Sequence, residues 1–589
     1  MRAQIARMYR ALTAPTIIAA ADVDSQKISC SRPDATAAVV ARHVARHVAR
    51  YRSAVVEPLE SRQLLAATYY VSPLGSDAAA GTSITTPWKS IDRVNNATLK
   101  PGDKVLFQGG KSFGGSLYLG SREGGTATAQ IAFGSYGTGR ATINSGDKPG
   151  IDVSQSAGIG IANLNFVGNG MRNNASPGIY FHVDFLDRDV SNVTIDNVEV
   201  SGYGREGIRF KVVGAGSSIS NVTISNVKAH DNLWAGVKMT GSAHNSNKNW
   251  IIDHVQAYNN VGDRSASGVT GNGIYIADVD GARINRCVAY NNGADGAAPV
   301  GIWAAGSNRV TIQYCESYDN KTGTSTDGGG FDFDWDVTNS VMQYNYSHGN
   351  AGPGYILAAG PTVNDNNTIR FNVSENDGRK NGKAGMQLWG NVTNAAIYNN
   401  AVFTSWAQHN NTAAFYAHDS ASNGKTPKNV QVRNNIFYTT GGAKLVSVSS
   451  GVARANGIVF AGNCYYTTGG TYKFQWGTTT TKTADGKTVT NGIIYGGLSA
   501  WRTAAGAEKL DGRLTGYQGD PKLAAAGAGG TIGNADLLRN LAAYKLQAGS
   551  PLINRGVAQP TFLASVPTDF FGDALPKGGS YDIGIDEVA

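Results

Sequence analysis

Apolar and polar residues alternate in short stretches along most of this chain, and the alternating stretches recur. From about residue 130 each repeat opens with a glycine and a segment such as Gly207-Ile-Arg-Phe-Lys, in which every second residue is apolar. Alternation with a period of two residues is typical of a β-strand that buries one face. Eight such strands start at Gly178, Gly207, Gly236, Gly273, Gly301, Gly330, Gly354 and Gly385.

A second strand follows in each repeat, as in residues 221–232, and closes at an asparagine. The closing residues are Asn232, Asn260, Asn292, Asn320, Asn350 and Asn376. We expect these asparagines in turns that need left-handed backbone. Successive repeats are roughly 24–37 residues long and show no helical periodicity. Such units bury their apolar faces only by stacking, so the chain is predicted to be all-β, a parallel β-helix (solenoid).

Four regions are expected along the chain. Residues 1–66 contain an Arg/His-rich tract at 41–50 and lack the β pattern, which predicts a leader that is disordered or removed. Residues 67–130 are expected to form an N-terminal cap and the first turns, and residues 131–466 the β-helix repeats. Residues 467–589 are expected to form the last turns and a C-terminal capping extension.

The formal net charge of +8 does not indicate a nucleic-acid partner. Residues 1–66 hold ten of the 51 basic and five of the 43 acidic residues, which leaves 41 basic and 38 acidic residues in the remainder. A surplus of three is too small for the basic stripe of a nucleic-acid-binding domain. No apolar run reaches the roughly 18 residues of a membrane span. We therefore expect a soluble monomer without a membrane span.

Stacking of the repeats predicts two ladders of structural side chains. Counting back five from the closing asparagine places Cys287 and Cys315 on successive turns, about 4.8 Å apart. They are expected to be buried free thiols, with a disulfide as the alternative. Counting back two gives an aromatic ladder of His230, Tyr258, Tyr290, Tyr318 and His348. These histidines are therefore expected to be structural.

The residues between the apolar positions of each first strand must point outward, and they form two rows. The nearer row is Tyr180, Arg209, Lys238, Tyr275, Trp303, Asp332, Ile356 and Gln387. The second row is His182, Lys211, Thr240, Ala277, Ala305, Asp334, Ala358 and Trp389.

Basic, aromatic and acidic side chains at steps of about 4.8 Å suit a groove that binds an acidic polysaccharide. Aromatic rings stack on sugar rings, and cations pair with uronate carboxylates. The expected substrate-binding residues are Tyr180, Lys211, Tyr275, Trp303, Gln387 and Trp389, with Trp303 and Trp389 exposed. The alternative is a solvated face that carries these side chains without binding.

Residues 327–336 form the most unusual segment, because three aspartates alternate with aromatic residues. With Trp335 inside, Asp332, Asp334 and Asp336 would emerge on one face about 6.6 Å apart. Three interpretations stay open. All three carboxylates bind Ca²⁺, or a raised pKa makes Asp332 and Asp334 the acid and base of an inverting glycosidase, or water alone screens the charges.

Part of the leader resembles a known targeting motif. Residues 59–65, Leu-Glu-Ser-Arg-Gln-Leu-Leu, are similar to the LEPR-x-LL motif of certain bacterial secreted and surface proteins, with Ser61 in place of proline. The resemblance implies a protein that is secreted or located at the bacterial cell surface.

Both ends of the remaining chain resemble bacterial secreted right-handed parallel β-helix proteins, including family 9 polysaccharide lyases. The resemblance to their N-terminal cap lies in residues 69–77, 87–91 and 99–110. Residues 549–556 and 581–587 are similar to their closing segment. The resemblance implies a right-handed solenoid with an N-terminal cap and a C-terminal capping extension.

For those lyases the resemblance implies β-elimination from a uronide, with Ca²⁺ on aspartates and a lysine base. Lys238 is similar to the family's base motif, and with Arg209 it would supply the base and the carboxylate clamp. Asp332 lies three repeats after Lys238, roughly 14 Å away, so one bond can hardly use both.

Four functions remain open from the sequence. The favoured one is a lyase that cleaves an acidic polysaccharide at Lys238 and Arg209. The others are an inverting hydrolase that uses Asp332 and Asp334, a carbohydrate-binding surface protein without catalysis, and a purely structural solenoid.

Overall fold

Three long sheets, each with strands from successive turns of the chain, form the body of the protein. The computed structural model describes residues 66–407, 412–420, 423–482, 488–559, 566 and 568–588, without the side chains of residues 479–490. Ala66–Ala589 form one compact unit. The predicted leader lies outside the described residues, apart from Ala66.

Each sheet contains fourteen strands, listed here in the order of their hydrogen bonding. Sheet one consists of β1 (Thr68–Val71), β2 (Lys104–Gln108), β5 (Ile131–Tyr136), β8 (Ile159–Ala162), β11 (Asp189–Asp196), β14 (Ser218–Ser225), β17 (Asn247–Asp253), β20 (Val279–Asn285), β23 (Asn308–Gln313), β26 (Val341–Gln343), β29 (Thr368–Arg370), β32 (Ala396–Tyr398), β35 (Val430–Arg433) and β38 (Ile458–Ala461). Sheet two consists of β4 (Leu117–Leu119), β7 (Ile151–Ser154), β10 (Ile179–Val183), β13 (Glu206–Val212), β16 (Ala235–Thr240), β19 (Asn272–Ala277), β22 (Val300–Ala305), β25 (Gly329–Phe333), β28 (Tyr355–Asp365), β31 (Ala384–Thr393), β34 (Ala413–His418), β37 (Lys444–Val448), β40 (Phe474–Lys482) and β41 (Thr488–Tyr495). Sheet three consists of β3 (Ser112–Gly114), β6 (Ala141–Gly146), β9 (Leu164–Gly168), β12 (Glu199–Ser201), β15 (Lys228–His230), β18 (Gln256–Tyr258), β21 (Val288–Tyr290), β24 (Glu316–Tyr318), β27 (Tyr346–His348), β30 (Val373–Glu375), β33 (Ala401–Ser405), β36 (Ile436–Thr440), β39 (Cys464–Thr468) and β44 (Tyr517–Gln518).

Except for the antiparallel pair β40 and β41, the strands stack in parallel register from one turn to the next, which confirms the predicted parallel β-solenoid. In β13 and β16, for example, Phe210 lies beside Met239, and both side chains are buried in the core. The recurring glycine at the strand start has a steric cause. A Cβ atom on Gly207 would lie 2.8 Å from Asn232 Nδ2 and 2.9 Å from the Gly236 carbonyl oxygen.

The closing asparagines form a buried ladder between turns. The Asn232 amide donates to Asn260 Oδ1 at 3.2 Å, and the same contact recurs along the solenoid. The ladder continues through Asn292, Asn320 and Asn350 and ends at Asp377.

Left-handed backbone occurs at Asn376 as predicted, but at the other five closing asparagines it lies one residue earlier, so the prediction is wrong for those five. Left-handed residues are Asp231, Asn259, Asn291, Asp319 and Asn376, with φ between 50 and 58°. Asn376 is therefore the left-handed residue of its turn, and Asp377 takes the ladder position. The ladder residues lie inside the solenoid, where their side-chain amides hydrogen-bond to backbone groups and to one another.

The structure confirms the other two ladders. Cys287 and Cys315 are buried free thiols on successive turns, with the Cys287 N–H 3.4 Å from Cys315 Sγ. The aromatic ladder stacks continuously, from His230 on Tyr258 at 4.5 Å between ring centroids to Tyr318 on His348 at 4.8 Å.

Only short helices accompany the sheets in the described residues. They are α1 (Ile91–Asn95), α2 (Ser450–Ala455), α3 (Leu498–Ala505) and the 3₁₀ helices Ala535–Asn540 and Ala542–Tyr544. α3 buries Leu498 and Trp501. Two antiparallel strands, β42 (Lys509–Leu510) and β43 (Arg513–Leu514), follow. None of the described helices has the length and apolar character needed to span a bilayer.

The described part of residues 520–588, here the C-terminal segment, covers the outer face of sheet three from β24 onward. Leu538, Tyr544 and Phe570 pack with Tyr346 and Phe403 in a second apolar cluster outside the solenoid core. The outer face of sheet two therefore differs from that of sheet three, because the C-terminal segment packs on part of sheet three.

Candidate functional site

The predicted nearer row is continuous on the outer face of sheet two, and it is called the central row below. Each member lies in register with its neighbour on the next turn. The row runs through Asp152, Tyr180, Arg209, Lys238, Tyr275, Trp303, Asp332, Ile356, Gln387 and Tyr416. Stacked strands thus bring together all predicted site residues of the central row.

Most of the central row is buried, although it lies on the outer face. Trp303 is 2% exposed, so its predicted exposure is wrong. Its ring stacks on Tyr275 with 3.8 Å between centroids, and its Nε1–H donates to Asn272 Oδ1. Trp389 is only half-buried. An apolar cluster of Tyr275, Trp303 and their small neighbours therefore forms a floor rather than a protruding sugar platform.

Asp332 is the acidic residue of the central row. It is 4% exposed, and its Oδ1 makes no hydrogen bond within the described residues. Burial raises the pKa of this carboxyl well above its ordinary value, and the charges of Asp334 and Asp327 raise it further. Burial and the two nearby carboxylates therefore favour the protonated form of Asp332.

The predicted alternation of Asp332, Asp334 and Asp336 is wrong beyond Asp332, because β25 ends at Phe333. Trp335, expected inside, is 38% exposed. Asp334 Oδ1 accepts the Trp335 N–H, and Asp336 has left-handed backbone with φ 57°. The chain turns here, so the side chains do not continue a strand face.

Asp336 is directed to another cluster. Its Oδ2 lies 3.6 Å from His244 Nδ1, and His244 Nε2 lies 3.9 Å from Asp278 Oδ1. Burial raises the pKa of Asp278. The binding of Ca²⁺ by Asp332, Asp334 and Asp336 stays a prediction.

Three other carboxylates converge in the described part of the chain. Asp569, Asp573 and Asp586 have oxygens within 4.8 Å of one another. Backbone N–H groups of Phe571, Gly572 and Asp573 donate to Asp569 Oδ1, and Lys577 donates to Asp573. These interactions explain the cluster as an anchor of the C-terminal segment.

Arg209 and Lys238 lie side by side on successive turns, and Lys238 lies three turns before Asp332, as predicted. Between Arg209 and Lys238 is Glu206, which is fully buried and which the sequence reasoning missed. Glu206 Oε1 lies 3.9 Å from both Arg209 Nε and Lys238 Nζ. Burial lowers the pKa of Lys238 to about 8, against the opposing effect of Glu206. Lys238 also donates to the Val269 carbonyl at 3.4 Å.

Aromatic rings border this basic group. Lys238 Nζ lies 5.7 Å from the ring centroid of Trp234 and 5.5 Å from that of Tyr275. The Arg205 guanidinium covers Trp234 at 4.0 Å. Arg209 Nη2 donates to Thr240 Oγ1 at 2.7 Å.

A cluster of titratable side chains lies beside the predicted residue Tyr180. His182 lies between Asp152, at 3.1 Å, and Asp184, and its ring stacks on Tyr180. Burial opposes protonation of His182, but the hydrogen bonds and charges of the two carboxylates raise its pKa overall. Lys211, in register with His182, is half-buried on the second row.

The opposite end of the central row is neutral. Gln387 donates to His418 Nε2 at 3.2 Å, and its Oε1 makes no hydrogen bond in the described region. Burial, reinforced by Lys383, lowers the pKa of His418 to about 4. Trp389 lies 6.3 Å from His418 between ring centroids. An unused amide oxygen and a half-buried tryptophan at this end are suited to a sugar.

Sequence reasoning missed Glu206, Trp234 and His418, and it placed Trp335 on the wrong side. A signal for Glu206 was present. It is the only charged residue among those that directly precede the eight repeated glycines. No comparable pattern marks Trp234 or His418, since both depend on how loops and later turns fold over the sheet.

Comparisons with known proteins agree with the fold. A family model described as a right-handed β-helix region matches residues 257–402. A curated relative, lacto-N-biosidase from Bifidobacterium longum subsp. longum, is 24% identical over 57% of this chain and 27% of its own length. The chain therefore spans about a quarter of the length of this relative.

Solved structures with similar architecture include enzymes of different reaction classes. The pectate lyase Pel9A is 15% identical, covering 89% of this chain and 96% of its own, with a TM-score of 0.41. The GH136 lacto-N-biosidase from Eubacterium ramulus is 17% identical, covering 56% and 64%, with a TM-score of 0.44. Over residues 257–402 the solenoid thus matches the right-handed β-helix form that the sequence predicts.

Proposed function

We propose that the outer face of sheet two hydrolyses a glycosidic bond of a polysaccharide, with Asp332 and Asp334 as the reacting groups. The observation that carries this proposal is the burial of Asp332 beside Asp334, which raises the pKa of Asp332 and favours its protonated form. A general acid must hold its proton at the working pH, and glycosidases obtain such an acid by raising the pKa of one carboxyl of a pair. The lacto-N-biosidase relative is consistent with glycoside cleavage.

The two carboxyls have different surroundings that suit different roles. Asp332, buried in the row, donates its proton to the glycosidic oxygen as the bond from that oxygen to the anomeric carbon breaks. Asp334, half-buried at the strand end, accepts a proton from the water that bonds to the same carbon. Because β25 ends before Asp334, the regular strand spacing that predicted inversion does not apply, and the product anomer must be measured.

Trp335 gives this site an exposed aromatic surface. Its ring lies edge-on to Trp303 at 6.2 Å and is the exposed neighbour of the reacting pair. Aromatic faces stack on sugar rings, so Trp335 would hold the sugar next to the cleaved bond.

β-Elimination at Lys238 is the second candidate, and a specific observation favours it. A pKa of about 8 leaves part of the Lys238 population neutral near that pH, as a base requires. Hydrolysis is better supported, because Lys238 Nζ already donates to the Val269 carbonyl, whereas Asp332 Oδ1 makes no hydrogen bond within the described residues.

The deciding experiment incubates the full chain with acidic and neutral polysaccharides and follows reducing ends and the ultraviolet absorbance of unsaturated uronide. New reducing ends without absorbance, lost in Asp332→Asn, are expected. Absorbance that rises with the reducing ends would instead establish the lyase. Binding without either signal would support the surface-binding alternative. A chelator arm tests the predicted calcium.

Secretion or cell-surface display and a monomeric state complete the proposal. The leader resemblance supports export, and fractionation of the producing cells tests it. Light scattering of the purified chain tests the monomer.

A further inference from the structure

An open cleft of about 420 Å³, here called the corner cleft, lies at the turns that follow β24, β27 and β30 and lead from sheet three into sheet two. Its volume falls within the roughly 300–1,000 Å³ of small-molecule sites. The residues that give it its character are Asp319, Lys321, Gly349, Asn376, Arg379 and Lys380. None of them belongs to the central row, so the corner cleft is separate from the proposed cleavage site.

The corner cleft exists because one side chain is missing from a regular row. The left-handed residue of the turn carries a side chain at Asp319 and Asn376, whereas between them it is Gly349, with φ 64°. Elsewhere in this row neighbouring side chains meet, since Asn291 Nδ2 donates to Asn259 Oδ1 at 2.7 Å. A Cβ atom on Gly349 would lie 2.7 Å from Asp319 Oδ1, so a side chain there would fill the space. The glycine therefore opens the corner cleft between Asp319 and Asn376.

Three cations and one carboxylate line the corner cleft. The cations are Lys321, Arg379 and Lys380, and Asp319 is the only acidic residue among the described residues that line it. Lys321 Nζ donates to the amide oxygen of Asn291 at 2.6 Å, and this partner is neutral. The resulting surplus of two positive charges favours an anionic ligand.

The hydrogen-bond donors of the corner cleft are only partly used. Arg379 Nε is buried and makes no hydrogen bond within the described residues. Asn376 Oδ1 accepts both the N–H and the hydroxyl of Ser405, so the NH₂ group of the same amide is left for another acceptor. Since a buried donor without an acceptor is costly, Arg379 is expected to meet an acceptor that the chain does not supply.

We propose that the corner cleft binds a tetrahedral oxyanion of the phosphate or sulfate class, either free or as the ester of a sugar. Such an ester presents three acceptor oxygens, which Arg379, Lys380 and the Asn376 amide can share, whereas a carboxylate presents only two. A phosphate monoester carries about −1.5 to −2 charges at pH 7, which is close to the surplus of the corner cleft. The inference goes beyond the proposed function, because it concerns a separate site at which binding is measured without cleavage.

Calorimetry of the full chain at low ionic strength, where exposed charges are least screened, tests the proposal. The probes are inorganic phosphate, inorganic sulfate, glucose 6-phosphate and glucose 6-sulfate, with glucose as the uncharged control. At least one of the four anions is expected to bind with a Kd of about 1 mM or tighter. Tighter binding of an ester than of its free ion would identify the sugar ester as the ligand, and binding of the free ion at least as tight would identify the ion itself.

Two substitutions locate the binding. Arg379→Gln should weaken it tenfold or more, whereas Arg283→Gln, at an exposed arginine on sheet one, should leave it unchanged. Gly349→Asn should also weaken it tenfold or more without removing a cation, because the new side chain fills the corner cleft. Asparagine tolerates left-handed backbone, and the flexible Asp319 side chain can rotate away from it.

The measurement on the unsubstituted chain needs no variant, and Lys380→Gln replaces Gly349→Asn if thermal unfolding shows that the latter does not fold. No binding of any of the four anions would overturn the proposal. A change of less than tenfold in either of the two substitutions would do the same, and so would equal weakening by Arg283→Gln.

Discussion

Two rows of polar side chains run through this solenoid, and they differ in how their hydrogen bonds are satisfied. In the asparagine ladder, Asn292 donates to the Ala257 carbonyl and to Asn320, and its oxygen accepts two N–H groups of Asn260. In the central row, Asp332 and Gln387 each keep a buried oxygen that makes no hydrogen bond in the described chain, and the same holds for both oxygens of Glu206 beside the row. Buried polar side chains whose hydrogen bonds are all made within the chain therefore stabilise the fold, whereas buried polar atoms without a partner in the chain are available to a ligand.

Asp332→Asn should have the largest effect on activity. Loss of the acidic proton should lower kcat about 10³-fold, the usual contribution of a general acid. Measurement of reducing ends with purified variant checks this, and Asp511→Asn, on an exposed turn, is the matched control. Retention of more than a tenth of the activity would remove Asp332 from the reaction.

Asn292→Ala tests the satisfied row. The substitution removes four hydrogen bonds to buried groups and should lower the free energy of unfolding by about 3 kcal/mol. Chemical denaturation measures this, with Asn173→Ala in an exposed loop as the control. At a temperature where the variant remains folded, kcat should stay unchanged, and a selective loss of kcat would contradict the assignment of the ladder as scaffold.

The pH dependence of stability separates the two rows further. The pKa of Asp332 in the folded chain lies above its ordinary value of 3.8, so the folded state binds more protons than the unfolded state. Asp332 therefore reduces stability progressively as the pH rises above about 4 toward the folded pKa. Asp332→Asn should be more stable than the parent at pH 7, and the difference should vanish near pH 3. An unchanged difference across this range would show that Asp332 is ionised when folded.

Trp335→Ala should have the smallest of these effects. Loss of one stacked ring should raise KM about fivefold with little change in kcat. Trp406→Ala provides a control, because Trp406 is 49% exposed and lies outside the central row. Equal KM values for the two variants would exclude Trp335 from sugar binding.

Much of this fold could be predicted because the repeats indicate where strands begin and which residues lie on successive turns. Gly207 and its equivalents mark strands that only glycine allows to approach the neighbouring turn, and Cys287 and Cys315 fall on successive turns as expected. The asparagine positions were equally visible, but their role was not. Whether Asn232 lies in the turn or just inside it depends on the φ angle of Asp231, which a spacing does not reveal.

The site was less predictable for a physical reason. Strand alternation tells which residues leave the core, but not what later covers them. Trp303 leaves the core as predicted and is nevertheless buried, because Tyr275 stacks on it and Asn272 binds its N–H. Trp335 breaks the alternation, since the strand has already ended. The position of Glu206 between Arg209 and Lys238 is seen only in the folded structure.

The C-terminal segment changes how the solenoid can unfold. It binds strands that are far apart in the stack: Ile532 N–H donates to Glu316, Tyr544 to Glu375 and Val557 N–H to Asn434. A simple stack frays from its ends, because each turn contacts only its neighbours. Here a segment that follows the repeats in the chain fastens several turns at once, so those turns should gain their full cooperativity only after this segment has been synthesised.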